Sequence, residues 1–289
     1  MTQMRRRRFL ALSAAFAGTP VLARPRVATW RGVAPGADAS IRIEGGPDPE
    51  GAVRWALERV RRAEALFSLY DPASALCRLN AAGRLDRPPA ELLSLLTLCD
   101  DLHAASGGAF DPTVQPLWKA LVEGGDADAA RERIGWDRVR LDRDGIALGA
   151  GQSLTLNGIA QGWVTDSVSD ALAAEGYGRA LVEIGELRGL GGPWRVGIGD
   201  GGEIGTLTLS DAAVATTMPF ADSPLPEGCP HVLSPLGAAP RWSAVTVEAD
   251  RAALADGWST ALALMPDPAR IPGIRRVWLT DESGRTRSL

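Results

Sequence analysis

The sequence predicts an α+β fold in one compact unit, and three observations carry that prediction. Apolar periods of 3.6 and of 2 residues both recur along the chain, but they do not alternate as strict βαβ units, so a doubly wound parallel sheet is disfavoured. The composition is that of an ordinary globular protein: 289 residues, 45% hydrophobic and 23% charged, enough for one large domain or two small ones. Beyond residue 24 no internal repeat, low-complexity tract or linker divides the chain.

The first residues read as a leader. Arg5 to Arg8 form a basic run, Phe9 to Ala17 a short apolar stretch, and Val21-Leu22-Ala23 offers small residues at signal-peptidase spacing. Arg-Arg-Arg-Phe-Leu is similar to a twin-arginine signal. The apolar run is too short to cross a bilayer, and no cysteine follows it to take a lipid anchor. The expectation is a signal peptide over 1–23, cleavage after Ala23, a periplasmic destination, and a mature domain over 24–289 with no membrane span.

The elements of that domain follow in order. Residues 39–44 alternate as a strand, broken by Gly45-Gly46-Pro47. Glu50 to Leu66 is an amphipathic helix with Val53, Ala56, Leu57, Val60, Ala63 and Leu66 on one face. A second helix runs from Pro89 to about Ala105, closed by Gly107-Gly108. Val139 to Leu148 reads as a hairpin turning at Asp144-Gly145. Ile159 to Glu175 is helical and ends at Gly176. Strands are expected at 180–184, 194–198, 205–209, 212–217, 242–247 and 276–280, with a helix over Ala252 to Leu264.

Charge and rare residues exclude several classes. The net charge of -4 comes from 31 basic and 35 acidic residues, which leaves no electrostatic footprint for nucleic acid. With His103 and His231 as the two histidines, a multi-histidine metal centre is excluded. Cys77, Cys99 and Cys229 form no CxxC pair, which argues against zinc and thioredoxin-like sites.

Several segments are too polar, or too rich in Gly and Pro, to be core alone. Asp256 and Thr260 stand four apart on a helix and share a face; carboxylate and hydroxyl oxygens suit a hard cation such as Mg2+, or Asp256 simply caps or solvates its helix. Asn157-Gly158 precedes a helix start, where free N–H groups cradle phosphate, or forms a plain connection. Tyr70 sits among turn residues, placed to stack on a flat ring or to be a surface aromatic. Phe110-Asp111-Pro112-Thr113 follows a glycine pair and lines a pocket or forms an Asx-turn. His231 precedes Ser234-Pro235 in a loop and titrates near neutrality, although an isolated histidine is commonly structural.

Taken together and in order, Ser68-Leu-Tyr70-Asp71, Gly108-Ala-Phe-Asp-Pro-Thr113, Leu156-Asn-Gly-Ile-Ala-Gln-Gly-Trp163, Val182-Glu-Ile-Gly185, His231-Val-Leu-Ser-Pro235 and Asp256-Gly-Trp-Ser-Thr260 resemble the ApbE family of FAD:protein FMN transferases. The match spans nearly the whole mature chain. Leu-Asn-Gly-Ile-Ala-Gln-Gly and Glu-Ile-Gly-Glu resemble its NosX-like branch. The resemblance implies a T-fold-like α+β domain that takes FAD and Mg2+ and moves FMN to a Thr or Ser hydroxyl of an acceptor flavoprotein, such as a membrane-bound respiratory or redox subunit, releasing AMP. It implies FAD contacts at Tyr70, Ala109, Phe110, Asp111, Thr155, Gln161 and Leu233, a metal on Gly158, Asp256 and Thr260 with Ser259 as a further contact, and catalytic roles for His231 and Asp256. The chain departs from the family at Pro35-Gly36-Ala37, Thr155 (family Asp), Gln161 (family Lys or Glu), Val214-Ala-Thr-Thr-Met218 and Ser234 (family Asp). Those departures keep two alternatives open: FAD pyrophosphatase activity giving FMN and AMP, and a non-catalytic flavin-binding maturation or electron-transfer partner. A solute-binding protein is a third, weaker alternative.

Overall fold

The structure, a computed structural model, describes residues 26–34, 37–198, 205–221, 224–225, 228–266 and 271–289. The expected leader at 1–23 and the Pro35-Gly36 departure lie outside the described residues.

In chain order the chain forms strands β1 (Val27–Ala34) and β2 (Ala37–Glu44), helices α1 (Pro49–Phe67) and α2 (Ala75–Ala82), strand β3 (Arg84–Asp86) and helix α3 (Ala90–Ala105). Helices α4 (Gln115–Glu123) and α5 (Ala127–Arg131), strands β4 (Arg140–Leu141) and β5 (Gly145–Ala147), and helix α6 (Ala160–Ala174) follow. Strands β6 (Ala180–Ile184), β7 (Glu186–Leu190), β8 (Trp194–Ile198), β9 (Gly205–Leu209), β10 (Ala212–Thr217) and β11 (Ala244–Ala249) lead to helix α7 (Ala252–Leu264) and strands β12 (Ile274–Thr280) and β13 (Thr286–Ser288).

Eight strands make one sheet in the order β1-β2-β6-β7-β10-β11-β12-β13, and every pairing in it is antiparallel. This is the α+β class, with helices gathered on one face of an antiparallel sheet. Alternation along β11 decides what each face meets. Val245, Val247 and Ala249 join the core under α1, α6 and α7. The opposite face of the sheet carries Leu181, Leu187, Val214 and Trp278 and is covered by the β8–β9 hairpin through Trp194, Val196, Leu207 and Leu209. A three-stranded sheet in the order β3-β5-β4, with α2 packed on β3 and α3 on β4, stands beside the helical layer.

Local chemistry sets the helix ends. Asp48 caps α1 by accepting from the Gly51 N–H at 3.0 Å, with Pro49 in the first turn. Ser74 caps α2, and Gly83 ends it in the left-handed conformation at φ 67. Helices α6 and α7 carry no side-chain cap at their own N-cap residues; each is capped by the other, as described below.

The four expected helices are present, as is the expected hairpin, in which Arg140 faces Ala147 and Leu141 faces Ile146. The strand expected at 242–247 lies at 244–249, because Trp242 packs as a half-buried flank and donates to the Met265 carbonyl instead of joining the ladder. Strands β1 and β7 and helices α2 and α4 were not expected from the sequence.

Candidate active site

A cleft of about 1150 Å³ opens between the α6–α7 end of the helical layer and the α2–α5 side. Its floor is made by two helices that cap one another. The Asp256 carboxylate, on α7, accepts from the Gly162 N–H of α6 at 3.0 Å. The Asp166 carboxylate, on α6, accepts from the N–H groups of Ala252 and Ala253 at the start of α7, at 2.9 and 3.0 Å. Each carboxylate thus takes up free donors at the partner helix's N-terminus, where negative charge is favoured. Glycine permits the close crossing: a Cβ at Gly162 would lie 2.8 Å from the Ala253 Cα.

The two capping carboxylates differ in their charge environment. Asp166 is buried but paired with Arg188 at 2.7 Å and Arg251 at 3.3 Å. Asp256 is 4% exposed, and its described partner is that single N–H. Burial pushes its pKa up to about 7, the Gly162 hydrogen bond opposes this, and the Asp166 charge adds to the rise. Glu186, the first residue of β7, lines the same cleft. It is half-buried at its surface, but enough protein surrounds its carboxyl for desolvation to raise its pKa well above the ordinary range. The Asp256 charge reinforces the rise, and the nearby Thr216 backbone opposes it.

Above Asp256, the Thr260 hydroxyl lies 3.5 Å from the Gly158 carbonyl. A Cβ at Gly158 would sit 2.9 Å from that hydroxyl oxygen, so glycine is what lets the loop before α6 approach α7. Ser259 does not line the cleft: it is fully buried, donates to the Asp256 carbonyl at 2.9 Å and bonds Thr217 at 2.6 Å. Among the described residues no group of three or more His, Cys, Asp and Glu could hold a metal. A cation here would therefore rely on one or two carboxylates, a carbonyl, a hydroxyl and its own waters or a substrate phosphate. Such an oxygen set suits Mg2+, so the residues fit that ion.

One wall is the Ala109-Phe110-Asp111 stretch. The Ser106 hydroxyl accepts from the Phe110 N–H at 3.0 Å, and His103 Nδ1 lies 2.9 Å from the Phe110 carbonyl. Asp111 is both a pocket residue and an Asx-turn, taking the Thr113 N–H at 2.8 Å and its hydroxyl at 2.6 Å. Thr155 is tied to this wall by its N–H to the Pro112 carbonyl at 2.9 Å. Asn80 joins α2 to the same segment by two bonds with the Leu154 backbone, at 2.9 and 2.7 Å. Tyr70 stands on the rim, 81% exposed, with its backbone held by the Ser68 hydroxyl at 3.1 Å.

The far side carries two of the departures from the family pattern, at Gln161 and Ser234. Gln161 lines the cleft and lies against Gly185, whose φ of 80 no side-chain-bearing residue adopts without strain. His231 and Leu233 line the cleft from a loop held by the His231 N–H to the Pro219 carbonyl at 2.8 Å. Burial lowers the His231 pKa, offset in part by the Ala221 backbone; Nδ1 is buried without a hydrogen-bond partner among the described residues. Ser234 accepts from the N–H groups of Leu236 and Ala238 at 3.2 and 3.1 Å, turning the loop as an Asp would.

The structure thus gathers every candidate residue except Ser259 into one cleft. Sequence reasoning did not single out Glu186, although the Glu-Ile-Gly-Glu string was visible. It assigned no role to His103, which holds the Phe110 wall.

Comparison with known proteins gives a match to the ApbE family over residues 36–276. In fold, the chain is similar to the apo flavinyl transferase ApbE of Pseudomonas stutzeri at 26% identity and a TM-score of 0.79, covering 92% of this chain and 96% of that one. It is similar to the flavin transferase ApbE of Vibrio cholerae at 22% identity and a TM-score of 0.76, over 92% and 97% of the two chains. The ApbE protein of Thermotoga maritima gives 24% identity and a TM-score of 0.78, over 91% and 96%. Among curated proteins there is no significant sequence match.

Proposed function

The chain belongs to the ApbE family, and on that premise we propose that it transfers FMN from FAD to a Thr or Ser hydroxyl of an acceptor protein, releasing AMP with Mg2+ bound. The observation that carries this reading is the single cleft that joins Tyr70, the Phe110 wall, Gly158, His231, Asp256 and Thr260. These residues come from segments spread over most of the chain, and a binding cleft is what they share.

The chain's own groups suit the chemistry. Tyr70 and the Ala109–Asp111 wall offer a flat ring and a narrow backbone surface for the flavin end, with Leu233 opposite. Thr155 and Gln161 line the same cleft and are offered to the pyrophosphate. Asp256, Thr260 and the Gly158 carbonyl would hold Mg2+, which when bound neutralises charge on the phosphates. His231, kept neutral by burial, accepts the proton of the acceptor hydroxyl as its oxygen bonds the FMN-side phosphorus. The bond from that phosphorus to the bridging oxygen breaks, and AMP leaves with the bridging oxygen. We further propose export by the 1–23 leader, so that the reaction takes place in the periplasm.

Nucleotide analysis tests the reading. With FAD, Mg2+ and an acceptor domain, AMP should appear in step with modified acceptor, and EDTA should stop both. AMP and free FMN in equal amounts, with unmodified acceptor, would make water the nucleophile and the protein a pyrophosphatase. Bound FAD that stays intact would overturn both enzymatic readings.

A further inference from the structure

Buried carboxylates in folded proteins are paired with cations or neutralised. At the junction of α6, α7 and β7 three acidic side chains meet this requirement differently. Asp166 has Arg188 and Arg251. Asp256 has a described backbone N–H, from Gly162, and among the described residues neither Asp256 nor Glu186 has an ion pair. The basic side chains that line the cleft are Lys119, Arg133 and His231. Lys119 is exposed and lies 3.9 Å from Glu123, Arg133 is exposed, and His231 is neutral by burial. Asp256 and Glu186 therefore line one cleft, near enough for one charge to act on the other, and among the described residues no basic side chain is paired with either.

Gln161 shows why the deficit persists. Its carboxamide lies directly against Gly185, next in sequence to Glu186. A basic side chain there would set a positive charge beside Glu186, and this chain has an uncharged one.

We propose that Glu186 is a further residue of the divalent-cation site, supplying from β7 the second negative charge that Asp256 supplies from α7. This rests on the reading of Asp256, Thr260 and Gly158 as the site of Mg2+. Asp256 and Glu186 are on separate elements and can be neutralised one at a time by isosteric amides, so the two assignments are tested separately. Glutamine at 186 keeps the side chain's length, and the Thr165 hydroxyl bonds the residue's backbone carbonyl, so the fold keeps that contact.

The experiment titrates the whole chain with Mn2+, read by electron paramagnetic resonance of the free ion, without FAD. Wild type, Glu186→Gln and Asp256→Asn are compared, with apo melting curves in EDTA as the check on folding. Glu186→Gln should weaken Mn2+ binding by roughly 10- to 100-fold while melting in EDTA no lower than wild type. Gln161→Lys should weaken it too, by placing a competing charge beside Glu186. If Glu186→Gln and Gln161→Lys bind Mn2+ within about twofold of wild type while Asp256→Asn loses it, the inference about Glu186 is overturned and the metal site at Asp256 stands. If Asp256→Asn also binds as wild type does, the metal site itself is misplaced and the inference falls with it.

Discussion

Replacing Asp256 by asparagine should make the metal-free protein more stable at pH 8 and change it far less at pH 5. Asparagine keeps the acceptor for the Gly162 N–H and so preserves the cap on α6 while removing the charge. In the folded protein the carboxyl titrates at about 7 against an ordinary value of 3.8. A raised carboxyl pKa means the folded state binds the proton more tightly than the unfolded state. The charge therefore costs nothing below about pH 4, costs progressively more between about 4 and 7, and costs its full amount above 7. At about 1.4 kcal/mol per pH unit, the full amount is about 4 kcal/mol, and roughly 2 to 3 kcal/mol of it develops between pH 5 and pH 8. Urea denaturation in EDTA at both pH values, with equal m-values as the control for a common unfolded state, reads the difference directly. Asp256→Asn should gain over wild type at pH 8 by that margin more than at pH 5. A gain that is the same at both pH values, or a loss at pH 8, would show that the carboxyl is not held in a charge-hostile floor. Saturating Mg2+ should shrink the gain, because the ion removes the penalty that the substitution removes.

Three further outcomes follow from the same geometry. Asp166→Ala deprives α7 of two caps and leaves Arg188 and Arg251 short of a buried partner; it should cost about 3–5 kcal/mol in denaturant unfolding, and Asp166→Asn should recover part of that by restoring one of the two caps. The transfer rate should rise with pH through an apparent pKa below 6.5, set by the lowered His231 value, and His231→Asn should flatten that limb in a pH–rate profile. Gly158→Ala puts a Cβ 2.9 Å from the Thr260 hydroxyl; it should lower Mg2+-dependent turnover at least about tenfold, in line with supporting positions around a metal, while tryptophan fluorescence melts shift by less than those of Asp166→Ala.

The fold was legible where pattern and punctuation agreed. Helices α1, α3, α6 and α7 carry clean apolar faces or sharp ends, and each was expected within one or two residues of its observed bounds. Strand β7 escaped because Glu186 and Arg188 face the helical layer, where one meets the cleft and the other pairs with Asp166 and Asp170. A functional strand face does not alternate apolar with polar, so the period that marks strands is erased there. Helix α2 was hidden inside a polar motif, although Ser74 and Gly83 marked both of its ends.

The site was legible as a set of segments because their residue types and order resemble a known family, and the geometry joins those segments in one cleft. The exchange of caps between Asp166 and Asp256 could not be read from sequence, since it depends on two helices 86 or more residues apart meeting N-terminus to flank. Glu186 was missed for a related reason: beside Gly185 it looks like any polar residue at a strand start. Its significance lies in what it lacks among the described residues, a basic partner. Ser234 reads as a loss of a family aspartate, yet its hydroxyl turns the His231 loop by the same two backbone donors an aspartate would take.

The most direct test of the central claim is the mass of the acceptor. Purified protein from residue 24 onward is incubated with FAD, Mg2+ and an acceptor domain carrying a target threonine, and the intact acceptor is weighed. The acceptor should gain the mass of one covalently bound FMN, a gain abolished by EDTA, by Asp256→Asn and by replacing the acceptor threonine with valine. An unmodified acceptor under conditions where FAD binds and Mg2+ is saturating would contradict it.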